Sequence, residues 1–298
     1  MIKVGIYGPD AVSDPVRKQL LRLLLRHPDV DLRCVASPAG NAMPLAELHP
    51  VYAGETNLTL ERLLDLSGLD VLFVIDEENV TPEIMEKFES DNDFRLIIMG
   101  EGQPERYVTD EKIVYGFPEW NRKAMVRGAR AARCASPEAL LIETALFPLA
   151  KNALLPDNIE CVMATDTRIL PALHEVQALI PMIQRDWKGN ISLTNVPAAP
   201  FERLDLTVTL QTPIALDEIE RLFNTTYDDH NFVYIVPGHG PIDEDLRGSN
   251  KCLIRLSKEG ETLTIHASMD TLTKGITGNA VHIMNLLFGL YERTGLSI

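Results

Sequence analysis

The first hundred residues alternate between short apolar runs and amphipathic segments. Strand-like runs recur at 2–8, 30–36, 69–76 and 95–100. Leucines at 20, 21, 23, 24 and 25 predict a helix between the first two runs, and Thr81 followed by proline predicts another over 81–90. A helix-like segment also covers 58–66. The alternation predicts a doubly wound parallel sheet with right-handed crossovers.

The second half of the chain has longer strands that are rich in β-branched residues. They are predicted at 191–196, 204–211, 231–236, 250–258 and 261–269, with helices at 173–185 and 215–225. The last two strands flank Glu259 and Gly260, which predicts a hairpin. This pattern favours an α+β domain with a mainly antiparallel sheet.

An apolar helix predicted over 278–291 is expected to return and pack on the first domain. The chain therefore divides into a Rossmann-like, dinucleotide-binding type of domain, 1–135 with 276–298, and an α+β domain, 136–275, of a catalytic or dimerisation type. The fold class is α/β.

Composition narrows the possible partners. The chain has 298 residues, a net charge of −15 and a pI near 4.9, which argues against nucleic acid or an anionic membrane as partner. No apolar run approaches the ~20 residues that span a bilayer. The start shows no secretory leader, and the four cysteines lie far apart without metal-ligand spacing. We expect a cytoplasmic protein with buried thiols and no metal site.

One stretch of the chain contains candidate catalytic residues. An apolar helix follows Ser136 and Pro137, and Cys134 stands just ahead of it. A nucleophile at a helix N-terminus is a recurring catalytic arrangement, because the helix dipole stabilises a thiolate or a developing anion there. The same Ser-Pro pair is also a common helix start, with serine as the N-cap and proline at the first helical position.

Six stretches carry a family resemblance. They are RLLLRHPDVDL (22–32), LAELHP (45–50), YGFPEWNRKA (115–124), FPLAKNALL (147–155), RGSNKCLI (247–254) and SMDTLTKGITGNAVHIMNLLFGLYERTGL (268–296). In this order they resemble N-acetyl-gamma-glutamyl-phosphate reductase, the NADPH-dependent acyl-phosphate reductase of arginine biosynthesis. The resemblance implies a second domain like that of glyceraldehyde-3-phosphate dehydrogenase, NADP as cofactor, and self-association through that domain.

The resemblance also implies a mechanism. A cysteine thiolate attacks the acyl phosphate, the thioester takes a hydride from NADPH, and a histidine serves as acid/base. Matching the family's Asn-Pro-Gly-Cys turn places the nucleophile at Ser136 by one count and at Pro137 by the other, with Cys134 two residues early by the first count. Matching its His-x-x-Glu-Ile element to Glu175 and Val176 places the histidine at Ala172.

The nearest histidine in this register is His174. It lies two positions beyond Ala172, roughly 200° around a helix, and is expected to face away from the same site. The catalytic candidates are therefore Ser136, Cys134 and His174. The family's Arg-Gly substrate element corresponds to about Glu202 and Arg203.

The cofactor loop departs from the family's glycine-rich turn. Gly8 is present, but the later glycines are replaced; two prolines remove N–H donors and Asp10 and Asp14 add negative charge. Three consecutive acids, 76–78, follow the third strand of the family pattern. Elsewhere the resemblance implies that four residues line the nicotinamide side of the cofactor site: Lys274, Gly275, Gly278 and Asn285.

These departures predict a catalytically impaired pseudoenzyme that acts as a protein-interaction or regulatory subunit. It would form a homo-oligomer, as a dimer or tetramer, or a hetero-oligomer with a related reductase. Two alternatives stay open. One is an active reductase with a displaced nucleophile and His174 as a shifted acid/base, and the other is a repurposed small-molecule-binding protein.

Overall fold

The computed structural model describes residues 1–8, 14–38, 40, 42–100, 113–165, 169–197 and 203–297. These residues pack into two compact units. The first unit takes in the described residues up to Ala135 together with Ile276–Leu296. The second unit takes in those of Ser136–Gly275 together with Ser297.

The elements alternate along the first unit as expected for a doubly wound fold. In chain order they are β1 (Ile2–Tyr7), α1 (Pro15–Leu25), β2 (Val30–Ala36), β3 (Met43–Pro44), α2 (Leu45–Leu48), β4 (Thr59–Glu61), β5 (Val71–Ile75), α3 (Pro82–Ser90), β6 (Arg95–Met99), β7 (Ile113–Gly116), α4 (Pro118–Val126) and β8 (Ala131–Cys134).

The second unit follows, and the chain then returns to the first. Its elements are α5 (Pro137–Lys151), β9 (Asn158–Ala164), α6 (Leu170–Ile183), β10 (Asn190–Val196), β11 (Arg203–Gln211), α7 (Leu216–Tyr227), β12 (Val233–Ile235), β13 (Cys252–Glu259) and β14 (Thr262–Asp270). A π-helical turn, Thr273–Thr277, leads into α8 (Gly278–Leu287).

The first unit contains an eight-stranded sheet in the order β3-β4-β2-β1-β5-β6-β8-β7. Its pairs are parallel except β3 with β4, which confirms the predicted parallel sheet. Strand order reverses between β1 and β5. In open α/β sheets, ligands bind at the carboxyl ends of the strands beside such a reversal.

The prediction of a helix over 58–66 is wrong. Thr59–Glu61 instead forms the short strand β4, in which Leu60 pairs with Val35 of β2. The apolar spacing of such a short run fits a helix or a strand equally well, and here pairing with the neighbouring strand decides the outcome.

The second unit contains a six-stranded sheet in the order β10-β9-β11-β14-β13-β12. Its centre is antiparallel, whereas β10 runs parallel to β9 at one edge and β12 parallel to β13 at the other. The predicted hairpin joins β13 and β14, with its turn at Gly260 and Glu261, one residue later than expected. Gly260 has a φ of 59°, which suits glycine in a tight turn.

Side chains of the second sheet separate by face. Alternate residues of β11 are buried beneath α5, including Leu204 and Val208. The opposite face carries polar cross-strand pairs. Thr207 Oγ1 lies 3.0 Å from His266 Nδ1, and Gln211 Nε2 donates to Thr262 Oγ1 at 3.0 Å.

In the first unit, buried polar contacts fasten the C-terminal segment to α8. Asn285 Nδ2 donates to the carbonyl oxygens of Glu292 at 3.0 Å and Thr294 at 2.9 Å. Its Oδ1 lies 3.0 Å from His27 Nε2, and the N–H of Asp29 donates to His27 Nδ1 at 3.2 Å. Because Nδ1 accepts, the ring is neutral and carries its proton on Nε2.

We expect stability to fall as the pH drops below the ordinary histidine range. Burial lowers the pKa of His27, with smaller opposing effects from its hydrogen bonds and Asp29. The folded state therefore binds this proton less readily than the unfolded chain, so acid favours unfolding. Stability is full above the unfolded pKa of 6.5 and is lost as the pH falls through the lower folded value.

Urea denaturation between about pH 8 and pH 5 measures this effect. Burial also lowers the pKa of His49 and of His266, so the wild-type slope contains their contributions. His27→Gln should flatten the slope, because glutamine does not titrate. His174→Gln, at an exposed position, is the matched control. An unchanged slope in His27→Gln contradicts the prediction.

Candidate functional site

Ser136 caps the N-terminus of α5. Its hydroxyl accepts the N–H of Ala139 at 3.4 Å, and Pro137 occupies the first helical position. The backbone N–H of Ser136 donates to both carboxylate oxygens of Glu175, at 3.2 and 3.3 Å. Both residues are buried. Of the two positions to which the family's nucleophile was matched, Ser136 is thus the helix cap, with its N–H bound to a carboxylate, and Pro137 is the first helical residue.

His174 lies on the exposed side of α6, away from the contact between Ser136 and Glu175. Glu175 and Ala172 lie on its buried side, whereas His174 is exposed. This agrees with the expected rotation about the helix axis. His174 is therefore not brought to the buried Ser136–Glu175 contact within the second unit.

Cys134 belongs to the first unit, where it is the last residue of β8 and pairs with Gly116. It is 1% exposed. All four cysteines fall within the described residues and are buried thiols. Burial raises the pKa of the Cys161 thiol to about 12 and also raises the pKa of Cys34. A reactive cysteine needs an accessible, electropositive setting, and burial of this degree opposes that.

The start of α1 is where a dinucleotide pyrophosphate would meet helix N–H groups. Asp14 is the N-cap, and its Oδ1 accepts the N–H of Val16 at 2.9 Å. Pro15 has no N–H. A carboxylate therefore already accepts a helix N–H that a phosphate would need, and like charges about 4 Å apart repel by roughly 1 to 4 kcal/mol. The described residues do not fit a bound pyrophosphate. Residues 9–13, including Asp10, lie outside the described part of the chain.

Gly8 directly follows β1 and lies beside Ile75, the last residue of β5. A Cβ at this position would lie 2.6 Å from the Cβ of Ile75. Strand packing therefore accounts for this glycine without a ligand. Its assignment to a cofactor loop stays a prediction.

The carboxyl end of β5 lies beside a charge pair that sequence reasoning missed and in which only the arginine is fully buried. Arg133 of β8 is fully buried; its Nε lies 3.6 Å from Glu77 Oε2, and its Nη2 donates to the carbonyl oxygen of Gly100 at 3.3 Å. Asp76 precedes Glu77 with a φ of 63°, an unusual backbone for a non-glycine residue. An arginine within the apolar run 131–135 was the available signal.

The residues assigned to the nicotinamide side divide between the two units. Lys274 is buried in the second unit, with its Nζ 5.7 Å from the ring centroid of Phe232. A Cβ on Gly275 would lie 2.9 Å from the Cβ of Pro137. In the first unit, Gly278 begins α8. Asn285 is engaged in fastening the C-terminal segment, as described above.

A pocket of about 320 Å³ opens within the second unit at the carboxyl end of β14. Its described lining residues are Arg203, Asp243, Glu244, Asp245, Leu246, Arg247 and Asp270. Arg203, the first residue of β11, was the sequence match to the family's substrate arginine. Sequence reasoning missed the acidic loop, 243–245, because it falls between predicted strands.

The described residues contain no group of three or more histidine, cysteine or acidic side chains placed to hold a metal ion. No described helix is long and apolar enough to cross a membrane.

The fold defines the class. Residues 3–127 match the family model for the semialdehyde dehydrogenase NAD binding domain. The solved aspartate semialdehyde dehydrogenase II of Vibrio cholerae superposes with a TM-score of 0.72, covering 98% of this chain and 99% of that one at 14% identity. The aspartate semialdehyde dehydrogenase of Candida albicans, solved with NADP, superposes with a TM-score of 0.70, covering 97% of this chain and 98% of that one at 12% identity. The chain has the semialdehyde dehydrogenase fold.

Sequence relatives narrow this class. N-acetyl-gamma-glutamyl-phosphate reductase of Bacteroides thetaiotaomicron is 30% identical over 329 residues, covering 100% of this chain and 98% of the relative. The enzyme of the same name from Parabacteroides distasonis is 30% identical over 330 residues, with the same coverage. The chain belongs to the N-acetyl-gamma-glutamyl-phosphate reductase family.

Glu175→Ala is expected to lower the free energy of unfolding by about 1 to 3 kcal/mol, because the buried N–H of Ser136 loses its acceptor. Glu175→Gln keeps an acceptor oxygen and should cost less. Urea denaturation of both variants measures the difference. Equal losses in the two variants would show that the hydrogen bond to Ser136 is not what the carboxylate contributes.

Proposed function

We propose that this chain is a catalytically impaired member of its family, a pseudoenzyme that acts by associating with other subunits. The proposal rests on which residues stand at the N-terminus of α5 and on the hydrogen bonds that they make. The sequence match places the family's cysteine at Ser136 or at Pro137, neither of which is a cysteine, and the hydroxyl and N–H of Ser136 are both engaged in hydrogen bonds. A serine hydroxyl is a weak nucleophile without an adjacent base.

The other parts of the family's machinery support the same proposal. His174 is exposed on the side of α6 away from Glu175, so no described histidine of this element stands ready as acid/base. Asp14 places a carboxylate at the start of α1, where a phosphate would need N–H donors. The matched family model is named as an NAD binding domain and a solved neighbour holds NADP, but we propose that binding of NADP to this chain is weak.

Association with other subunits is an activity that does not require the family's catalytic residues. We propose a cytoplasmic homo-oligomer, a dimer or tetramer, or a hetero-oligomer with a related reductase. The polar face of the second sheet supports this, since its cross-strand pairs, such as Thr207 with His266, are only half buried in the single chain. Such a face can be covered by another subunit through hydrogen bonds instead of a large apolar patch.

Calorimetric titration with NADPH tests the proposal, with the Bacteroides thetaiotaomicron reductase as the control. We expect no saturable binding at millimolar cofactor, and Asp14→Ser, which keeps a capping oxygen but removes the charge, should bind more tightly than the wild type. Micromolar binding of NADPH by the wild type contradicts the proposal that cofactor binding is weak. Sedimentation equilibrium tests association, and a monomer that also fails to pair with the control reductase contradicts that part.

A further inference from the structure

The pocket in the second unit combines charges of both signs. Two arginines face four carboxylates across its described lining. Arg247 and Asp245 largely satisfy each other: Arg247 Nε donates to the two Asp245 oxygens at 2.8 and 3.1 Å. That pair therefore forms part of the wall, and the other charged residues of the lining are Arg203, Asp243, Glu244 and Asp270.

Asp270 is the buried anchor of this pocket. Its side chain is held from two directions, because the N–H of Gly248 donates to Oδ2 at 3.0 Å and the N–H of Thr273 donates to Oδ1 at 2.5 Å. A carboxylate oxygen that accepts one backbone N–H has a second lone pair to offer. Asp270 is only 5% exposed, so its carboxylate is fixed in position and partly shielded from water.

Arg203 stands beside Asp270 in the sheet. The two residues are register partners on β11 and β14, so their side chains emerge on the same face. Arg203 Nε donates to Asp205 at 2.8 Å, which steadies the guanidinium, and Nη1 lies 3.6 Å from the fully exposed Asp243. A rigid carboxylate and a steadied guanidinium are therefore neighbours at one end of a cavity.

We propose that this pocket binds a small α-amino acid with a free ammonium group, the ammonium at Asp270 and Asp243 and the carboxylate at Arg203. A zwitterion matches neighbouring charges of opposite sign, and charge-assisted hydrogen bonds are about twice as strong as neutral ones. An Nα-acylated ligand lacks this cation and is disfavoured by a lining in which carboxylates outnumber arginines. This inference goes beyond the proposed function, since a binding site for a free amino acid does not depend on whether the chain reduces acyl phosphates.

Calorimetry on the full chain tests the pocket. The probes are L-alanine, L-glutamine, L-glutamate and L-lysine, each beside its Nα-acetyl derivative. We expect at least one free amino acid to saturate the protein at millimolar concentration or below, and to bind about tenfold or more tightly than its acetyl derivative. No saturable binding by any free amino acid overturns the proposal, and so does equal binding of the acetyl forms.

Variants locate the site. Arg203→Gln should abolish binding of the free amino acid, and Asp243→Asn, at a fully exposed position where the fold is not at risk, should weaken it severalfold. Asp217→Asn is the matched control, because Asp217 is an exposed aspartate of the same unit that also pairs with an arginine. Binding that survives in both pocket variants places the ligand elsewhere and overturns the proposal. Equal loss in the control variant does the same, because the effect would then be one of net charge.

Discussion

Assayed with N-acetyl-gamma-glutamyl phosphate and NADPH, this chain is expected to react at least about 10⁴-fold more slowly than the Bacteroides thetaiotaomicron reductase. The reason is chemical. A thioester intermediate requires a thiol, and Ser136 has a hydroxyl whose oxygen already accepts the N–H of Ala139. Removing a nucleophile leaves only the acceleration that binding and oxyanion contacts provide.

Groups next to Ser136 lower the expected reaction rate further. An oxyanion at the mouth of α5 would need N–H donors, but the N–H of Ser136 is engaged by Glu175. For this reason Ser136→Cys alone is expected to leave the rate within about tenfold of that of the starting chain. The intact mass of the variant provides a separate check that the cysteine is present.

Cys134→Ala and Ser136→Ala complete the test. Each should leave any residual rate unchanged, because neither residue is placed as a working nucleophile. A rate close to that of the control reductase that disappears in Cys134→Ala would overturn the impaired-enzyme proposal. It would support the displaced-nucleophile alternative instead, with Cys134 as its nucleophile.

Glu292→Ala is expected to lower the free energy of unfolding by about 3 kcal/mol. Glu292 is buried in the first unit, where its Oε2 lies 2.7 Å from His282 Nε2 and its Oε1 lies 2.5 Å from Arg122 Nη2. Deleting the carboxylate leaves the buried His282 without this partner. Breaking a buried pair costs more than the pair itself contributes, because the remaining group stays desolvated.

Urea denaturation measures this loss, and Glu89→Ala is the matched control. Glu89 is an exposed glutamate of α3 in the same unit, and surface substitutions of this kind usually change stability by less than about 0.5 kcal/mol. Similar losses in the two variants would contradict the role assigned to the buried pair. Glu292→Gln should fall between them, since it keeps a hydrogen-bond acceptor without the charge.

The regular elements could be predicted because their signals are local. Ser136 and Pro137 start α5 as predicted, with the serine as N-cap, and Thr81 likewise caps α3 by accepting the N–H of Ile84. The parallel sheet followed from its continuous apolar runs, since strands buried on both faces have no polar alternation. The segment 58–66 failed because its identity as β4 depends on pairing with β2, which no local pattern records.

The candidate site was harder to predict because its contacts join distant parts of the chain. Glu175 lies 39 residues beyond Ser136, and only the docking of α6 on α5 brings its carboxylate to that N–H. The Arg133–Glu77 pair joins the ends of two strands in the same way. By contrast, the exposure of His174 followed from helix geometry alone, since it stands next to the buried Glu175.

The division of the first unit along the chain has a consequence for synthesis on the ribosome. The α8 helix packs on α1, α4 and strands β6, β7 and β8, yet it follows all of these elements along the chain and is therefore translated after them. Until then the nascent first unit exposes an apolar surface that α8 later covers, whereas Ser136–Gly275 of the second unit is already complete. We therefore expect the second unit to mature earlier, and the first unit to be the part that engages chaperones during translation.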